Sequence, residues 1–443
     1  MSSIVNYAFV EPYEDACAGA LVTWVSDSVL TTVLEYSEEG ANAWRAAFAH
    51  RIREFPEKPG VWLHTAKIST LGADTVYKFR FPGAEFSDRF KTPPSSGVRV
   101  AIASDYHKDT YGDGSNLDLF GKQFVSLECD LLILNGDYII DDGIWSPETG
   151  QRWFDFMRNV AIRWRRARCL VPIAATLGNH EGANKAGTSN AEAAGNGSPG
   201  PIIEIFSLGY DPDDIQYENR SMWSFRVGAE VAFIGYETSH TVYIEDQIGW
   251  LTAVFDRLAP LVRHINLCGH AGAFFARSGA WERARPNQAP KIKKLVWPIL
   301  EAHALKMRAY WVGHEHNIGV TARLRMEWDE SLPATKNADR WLTDPVRGVR
   351  QLGSGALGGV VSAPLSRYPR EVDRVSTIDA SPKFIAALAY TPSTGFEAYG
   401  NLTYEGAAAE HFNMWVADYS ERAFVARCVD ANGHVFYTLE EAP

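Results

Sequence analysis

Five short stretches of the chain carry residue types that bind metal ions. They are Asp105-Tyr106-His107, Asn135-Gly136-Asp137, Gly178-Asn179-His180-Glu181, Gly269-His270 and Gly313-His314-Glu315-His316. Their donors are carboxylate, imidazole and amide oxygen, without thiolate. That set suits manganese, iron or zinc. A lone His or Asp is ordinarily a satisfied polar group. Five stretches of one design are harder to dismiss, and they predict convergence on one pair of metal ions.

The design lies in the residues that precede each stretch. Val98–Ser104 leads to Asp105, Leu131–Leu134 to Asp137, and Pro172–Leu177 to Asn179. His264–Gly269 leads to His270, and Ala309–Val312 to His314. Short apolar runs of this kind read as buried strands. An open α/β sheet keeps its ligands beyond the carboxyl ends of its strands. Glycines let the backbone turn sharply as it leaves the sheet. Where one residue separates two ligands, as in Asp105 with His107 and His314 with His316, an extended chain puts both on one side.

The 443 residues favour two or more domains. The apolar runs are too short to span a bilayer. Met1-Ser2-Ser3-Ile4-Val5-Asn6 has neither a basic nor an apolar leader region, which predicts no signal peptide and a cytoplasmic location, with export or particle association as the alternative. Five scattered cysteines, Cys17, Cys129, Cys169, Cys268 and Cys428, read as reduced, buried thiols. A net charge of -11 argues against a nucleic-acid partner held by a general basic field. An anionic substrate would need a strong local positive charge, which a metal cluster supplies.

Residues from about Tyr7 to Phe90 read as all-β, with strands at Leu21–Val25, Leu30–Tyr36, Trp62–Ile68 and Thr75–Phe81. Lys91–Gly97 reads as a linker. Beyond it the chain alternates strand and helix, the pattern of an α/β layered domain. Amphipathic helices are expected at Leu117–Leu127, Trp153–Arg168, Asp246–Leu258 and Lys291–Leu305. In the second, Trp153, Phe156, Met157, Val160 and Trp164 recur at helical spacing and read as core. Gly182–Pro201 reads as a long loop bordering the site, and Met326–Val346 as a polar insert. Glu181, Asp109, Asp141 and Asp142 read as solvated or supporting groups, His240, His264 and His303 as structural, and Arg277 as a surface residue.

Asp-x-His, Gly-Asp, Gly-Asn-His-Glu, His and Gly-His-x-His, in this order from Asp105 to His316, resemble the calcineurin-like metallophosphoesterase superfamily. Phe90–Pro94, Trp223–Gly228, Asp246–Leu251 and Gly353–Gly359 resemble its purple acid phosphatase branch more loosely. The resemblance implies a four-layer α/β/β/α sandwich over residues 95–443, preceded by a fibronectin type III-like β-sandwich over residues 1–94. It implies that Asp105, His107 and His316 bind one divalent transition metal, that Asn179, His270 and His314 bind a second, and that Asp137 bridges the two. A metal-bound hydroxide would attack the phosphorus of a small phosphate ester, with His180 as acid or transition-state stabiliser. A non-catalytic binding or structural protein on the same fold is the alternative. Two positions depart from the purple branch. Ile140 stands where that branch has the tyrosine responsible for its colour, and His107 stands where it has no histidine ligand.

Overall fold

The structure is a computed structural model. It describes residues 4–106, 115–139, 146–181, 202–207, 222–238, 240–273, 288–314, 320–321, 323–332, 341–353, 413–430 and 433–442.

The first seven strands are β1 (Val5–Pro12), β2 (Gly19–Ser26), β3 (Val33–Glu38), β4 (Arg45–Glu54), β5 (Trp62–Ser69), β6 (Val76–Arg80) and β7 (Ser87–Lys91). They form a fibronectin type III-like sandwich, with β1-β2-β5 on one side and β3-β6-β7 on the other. Strand β4 joins the two: residues 45–48 pair with β3, and residues 49–54 pair with β5, with a bulge between Ala49 and Arg51. Trp24, Leu34, Leu63 and Phe79 are fully buried in its core. The expected strand at Leu30–Tyr36 begins only at Val33, and Leu30 is exposed.

The sandwich does not stand apart from the rest of the chain. Leu170 in β11 (Cys169–Leu170) pairs with Phe90 of β7, and β10 (Arg165–Arg166) pairs with β11. Tyr7 and Phe55 pack edge-on against Phe154 of helix α2 (Pro147–Arg163), inside one continuous apolar cluster.

Two further sheets make the α/β part. One has β12 (Ile173–Ala175), β9 (Leu131–Leu134) and β8 (Val98–Ala103) in parallel, followed by antiparallel β20 (Asn413–Tyr419), β21 (Phe424–Asp430) and β22 (Val435–Glu441). The other has β13 (Trp223–Val227), then parallel β14 (Val231–Gly235), β15 (His264–Cys268), β16 (Met307–Val312) and β19 (Gln351–Gly353). A hairpin of β17 (Leu324–Met326) and β18 (Trp341–Thr343) occupies part of the expected polar insert.

Alternation along the strands explains the layering. Val98, Val100 and Ile102 of β8, with Leu131 and Ile133 of β9, share a core with Phe233, Ile265, Leu267 and Trp311 of the facing sheet. Ala101, Ala103, Leu132 and Leu134 point the other way, to the cluster holding Phe120 and Phe124 of α1 (Ser115–Ser126) and Trp153 and Met157 of α2. Strands buried on both faces must read as nearly unbroken apolar runs. Each fully buried Leu or Ile contributes roughly 1.5–3 kcal/mol. Helix α3 (Ile244–Leu258) and the helical turns of Gln288–Lys291, Ile292–Val296 and Trp297–Ala302 complete the fourth layer.

Helix α2 starts earlier than its apolar spacing suggests. Ser146 caps it, accepting from Thr149 N–H at 3.2 Å, and Pro147 takes the first helical position. It also ends earlier, at Arg163, because the chain turns back at Ala167 and Arg168, both at positive φ. All five cysteines are buried and free, and burial raises their thiol pKa values. Among the described residues, no helix is long and apolar enough to cross a membrane.

Candidate metal centre

The five ligand loops leave the carboxyl ends of β8, β9, β12, β15 and β16. Three of their residues, Asp105, Asp137 and His314, have left-handed backbones, with φ of 57°, 58° and 73°. Such conformations are uncommon outside glycine and cluster at functional sites. Gly136, at φ 89°, stands where a Cβ would lie 2.7 Å from Gly178 and from His270 Nδ1. A Cβ on Gly178 would collide with Asp137. These two glycines let the second and third loops touch.

The loops hold one another through backbone N–H groups. His314 N–H donates to both oxygens of Asp105, at 3.0 and 2.8 Å. Asp105 N–H donates to Gly136 carbonyl, and His180 N–H to Asp137 Oδ1, each at 3.0 Å. Glu181, fully buried, accepts from Asp137 N–H (2.8 Å), Tyr138 N–H (2.7 Å) and Gly178 N–H (2.9 Å). Of the two expected characters, solvated or supporting, Glu181 has the supporting one: it clamps two loops together.

His270 sits at the centre. Its Nε2 lies 3.1 Å from Asp137 Oδ2 and 3.0 Å from Asn179 Oδ1. Its Nδ1 lies 2.7 Å from Asn135 carbonyl. A carbonyl can only accept, so Nδ1 carries a proton. Nε2 then faces two oxygen acceptors and needs a cation between them, either a proton or a metal ion. In the metal-free chain the proton takes that place. Burial disfavours the charge, but the carboxylates of Asp137 and Asp105 with the Asn135 carbonyl outweigh it and raise the His270 pKa to about 9. One donor atom from each of Asp137, His270 and His314 lies within 4.8 Å of the others. This buried cluster of oxygen and nitrogen donors fits a transition-metal ion.

Asp105, Asp137, Asn179, His180, His270 and His314 are thus brought together. His180 is the most exposed of them, at 18%, with Nε2 4.0 Å from Asp137 Oδ2. His107 and His316 lie outside the described residues, as do Asp109, Ile140, Asp141, Asp142, Arg277 and the stretch Gly182–Pro201 expected as a loop. Tyr106 and Tyr138 pack on Phe156, at 5.5 Å between ring centroids in each case. Tyr138 Oη donates to the carbonyls of Leu134 and Thr176.

Sequence reasoning left His240 as structural, yet its ring lies 5.9 Å from that of His270. Thr238 Oγ1 accepts from Ala271 N–H at 3.1 Å and hydrogen-bonds His240 Nε2 at 3.0 Å. The loop is tied to Glu237, whose carboxylate accepts from the N–H groups of His240, Thr241 and Val242. Burial raises Glu237 to about 7 against those hydrogen bonds. The available signal was the apolar run Val231–Gly235, which ends in polar residues as the ligand strands do. By contrast His264, between Glu230 and Arg308, and His303, stacked on Phe255, lie among structural groups.

Residues 98–317 match the calcineurin-like phosphoesterase family. No curated protein matches the chain. Among solved structures, a purple acid phosphatase from yellow lupin (Lupinus luteus) seeds aligns with a TM-score of 0.68 at 14% identity, over 100% of this chain and 74% of that one. An inner membrane complex anchor of Plasmodium aligns with a TM-score of 0.44 at 13% identity, over 78% of this chain and 89% of that one. A dimetal phosphatase from Danio rerio gives 0.43 at 13%, over 78% and 99%. Only the lupin alignment bears on the fold. Two facing sheets with ligand loops at one end define a metallophosphoesterase domain. Residues 98–317 thus form a calcineurin-like phosphoesterase domain, and the chain as a whole has a purple acid phosphatase-like arrangement of its folds.

Proposed function

We propose that this protein hydrolyses small phosphate esters at a centre of two divalent transition-metal ions. Asp105, His107 and His316 would hold one ion, Asn179, His270 and His314 the other, and Asp137 both. The observation that carries the reading is the His270 imidazole, with Nδ1 committed to Asn135 carbonyl and Nε2 aimed at Asp137 and Asn179. Bound metal ions supply positive charge for phosphoryl oxygens and a nucleophile that ionises near neutral pH. The chain's own part is to fix that charge at the ligand loops of a protein whose net charge is -11.

His180 has a different task. Its backbone N–H is anchored on Asp137, while its ring reaches the partly exposed rim. A histidine there can give a proton to the departing oxygen. The N-terminal sandwich, taken as residues 1–94, would support residues 95–443 through the apolar contact of Tyr7 and Phe55 with α2.

The test is metal analysis combined with a panel of phosphate mono- and diesters. About two metal ions per chain are expected, with turnover that chelation abolishes. Asp137→Asn should lower occupancy at both positions. A reconstituted chain that binds no metal, or a metal-loaded chain inert on every ester, overturns the reading.

A further inference from the structure

A second concave site lies on the N-terminal sandwich, lined by none of the metal-centre residues. This cavity, of about 620 Å³, is formed where the outer face of β6 and β7 meets the β10–β11 hairpin. Lys78, Arg80, Arg89, Arg165 and Arg168 line it beside Trp44. Asp88 is the one carboxylate in the lining. In a chain of net charge -11, this is a local reversal of sign.

Three of the cations have carboxylate partners. Arg80 meets Glu35 at 2.7 Å, Arg89 meets Glu39 at 3.1 Å, and Arg165 is held by both oxygens of Asp88, at 2.8 and 2.7 Å. Lys78 and Arg168 have no carboxylate within ion-pair distance among the described residues. Lys78 stands directly opposite Arg89 across the β6–β7 ladder. Like charges in that position are destabilising, and an anion between them relieves the repulsion. Arg168 sits in the tight turn between β10 and β11 at φ 67°, following Ala167 at φ 48°. Glycine or asparagine takes such positions at less cost. The turn instead holds a long cation at the mouth of the cavity. The Trp44 ring is already engaged by Arg80, whose Cζ lies 4.1 Å from its centroid, with Lys78 Nζ at 5.7 Å.

We infer that this cavity binds a small oligophosphate, a chain of linked phosphoryl groups. The volume suits a small molecule, not a polymer. Arginine forks match phosphate oxygens, and several cations from separate strands match several linked charges. With the indole covered by Arg80, recognition is of the phosphates and not of an attached base.

The test uses the full chain and sodium tripolyphosphate, followed by calorimetry at about 0.1 M salt, near a 10 Å screening length. Saturable binding is expected, in the intact chain and equally in Asp137→Asn, where the metal centre is damaged. ATP should bind as tightly as tripolyphosphate, and inorganic monophosphate at least tenfold more weakly. Lys78→Glu with Arg168→Glu should weaken binding tenfold or more and leave ester turnover unchanged. The milder pair Lys78→Gln with Arg168→Gln checks the same point should the charge reversal impair folding. Absence of binding overturns the inference, as does binding that survives either double variant. Binding lost in Asp137→Asn alone would place the anion at the metal centre and overturn it too. ATP binding much tighter than tripolyphosphate would show that a base is read, against the inference.

Discussion

The Nδ1 atom of His270 lies 2.7 Å from the backbone carbonyl oxygen of Asn135. This contact decides which nitrogen is free to meet a metal. It also has a pH consequence. In the metal-free chain His270 titrates at about 9, above the ~6.5 of an unfolded histidine. Its charge therefore stabilises the fold fully below about pH 6.5, and that contribution is lost as the pH rises through 9. The unfolding midpoint of the chelated protein should fall across this window, and His270→Gln should flatten the fall. Metal affinity should run the other way, rising with pH as the competing proton leaves. Calorimetric melts in chelator would refute this if the midpoint held constant or rose.

Glu181 offers a test of how the loops are held. Its carboxylate serves three backbone donors from two loops. Glutamine keeps the shape but has one acceptor oxygen, and its amide would face an N–H. At least one buried donor loses its partner, at roughly 1–3 kcal/mol. Glu181→Gln should cost about that much in urea unfolding and should lower metal occupancy, since Asp137 and Asn179 both flank the clamp. A change below about 0.5 kcal/mol, within the range of ordinary surface substitutions, would show that the clamp is dispensable.

The five strands that carry the candidate ligands were legible in the sequence because burial on both faces favours apolar runs, unbroken in Leu131–Leu134 and interrupted by Arg99, Asn266 and Arg308 in β8, β15 and β16. The sandwich was legible in outline, but β4, half exposed and alternating, gave a weak signal at Arg45–Glu54. The Asn135 carbonyl could not be found, because a backbone oxygen has no residue signature. Arg165 and Arg168 read as the end of a helix, since nothing local announces that Trp164 ends it while staying in the core. The placement of His240 beside His270 could not be read, because its partner, Thr238, matters only once the loop is folded there.

A substitution at His180 tests catalysis apart from assembly. Its main chain belongs to the Asp137 hydrogen-bond network, and its ring does not complete the Asp137–His270–His314 cluster. His180→Ala should keep metal content near that of the parent while turnover falls about 10²-fold or more, the usual scale for a positioned acid. The loss should shrink for esters whose leaving groups need no proton. An equal loss across good and poor leaving groups would remove the acid role.

The last prediction concerns colour. A phenolate bound to iron(III) gives a strong visible charge-transfer band, so a tyrosine ligand announces itself. Two tyrosines adjoin the ligand residues. Tyr138 follows Asp137, but its hydroxyl donates to the carbonyls of Leu134 and Thr176, and its ring is stacked on Phe156. Burial raises its pKa well above the ordinary value, and Glu181 and Asp137 add to that, so it does not ionise near neutral pH. Tyr106 follows Asp105, and its ring also packs on Phe156, away from the facing sheet that supplies His270 and His314. Neither phenol is placed to reach a metal. The chain loaded with iron should therefore lack an intense visible band. A strong band that disappears in Tyr138→Phe or Tyr106→Phe would mean that the ligand assignment is wrong at Asp137 or Asp105.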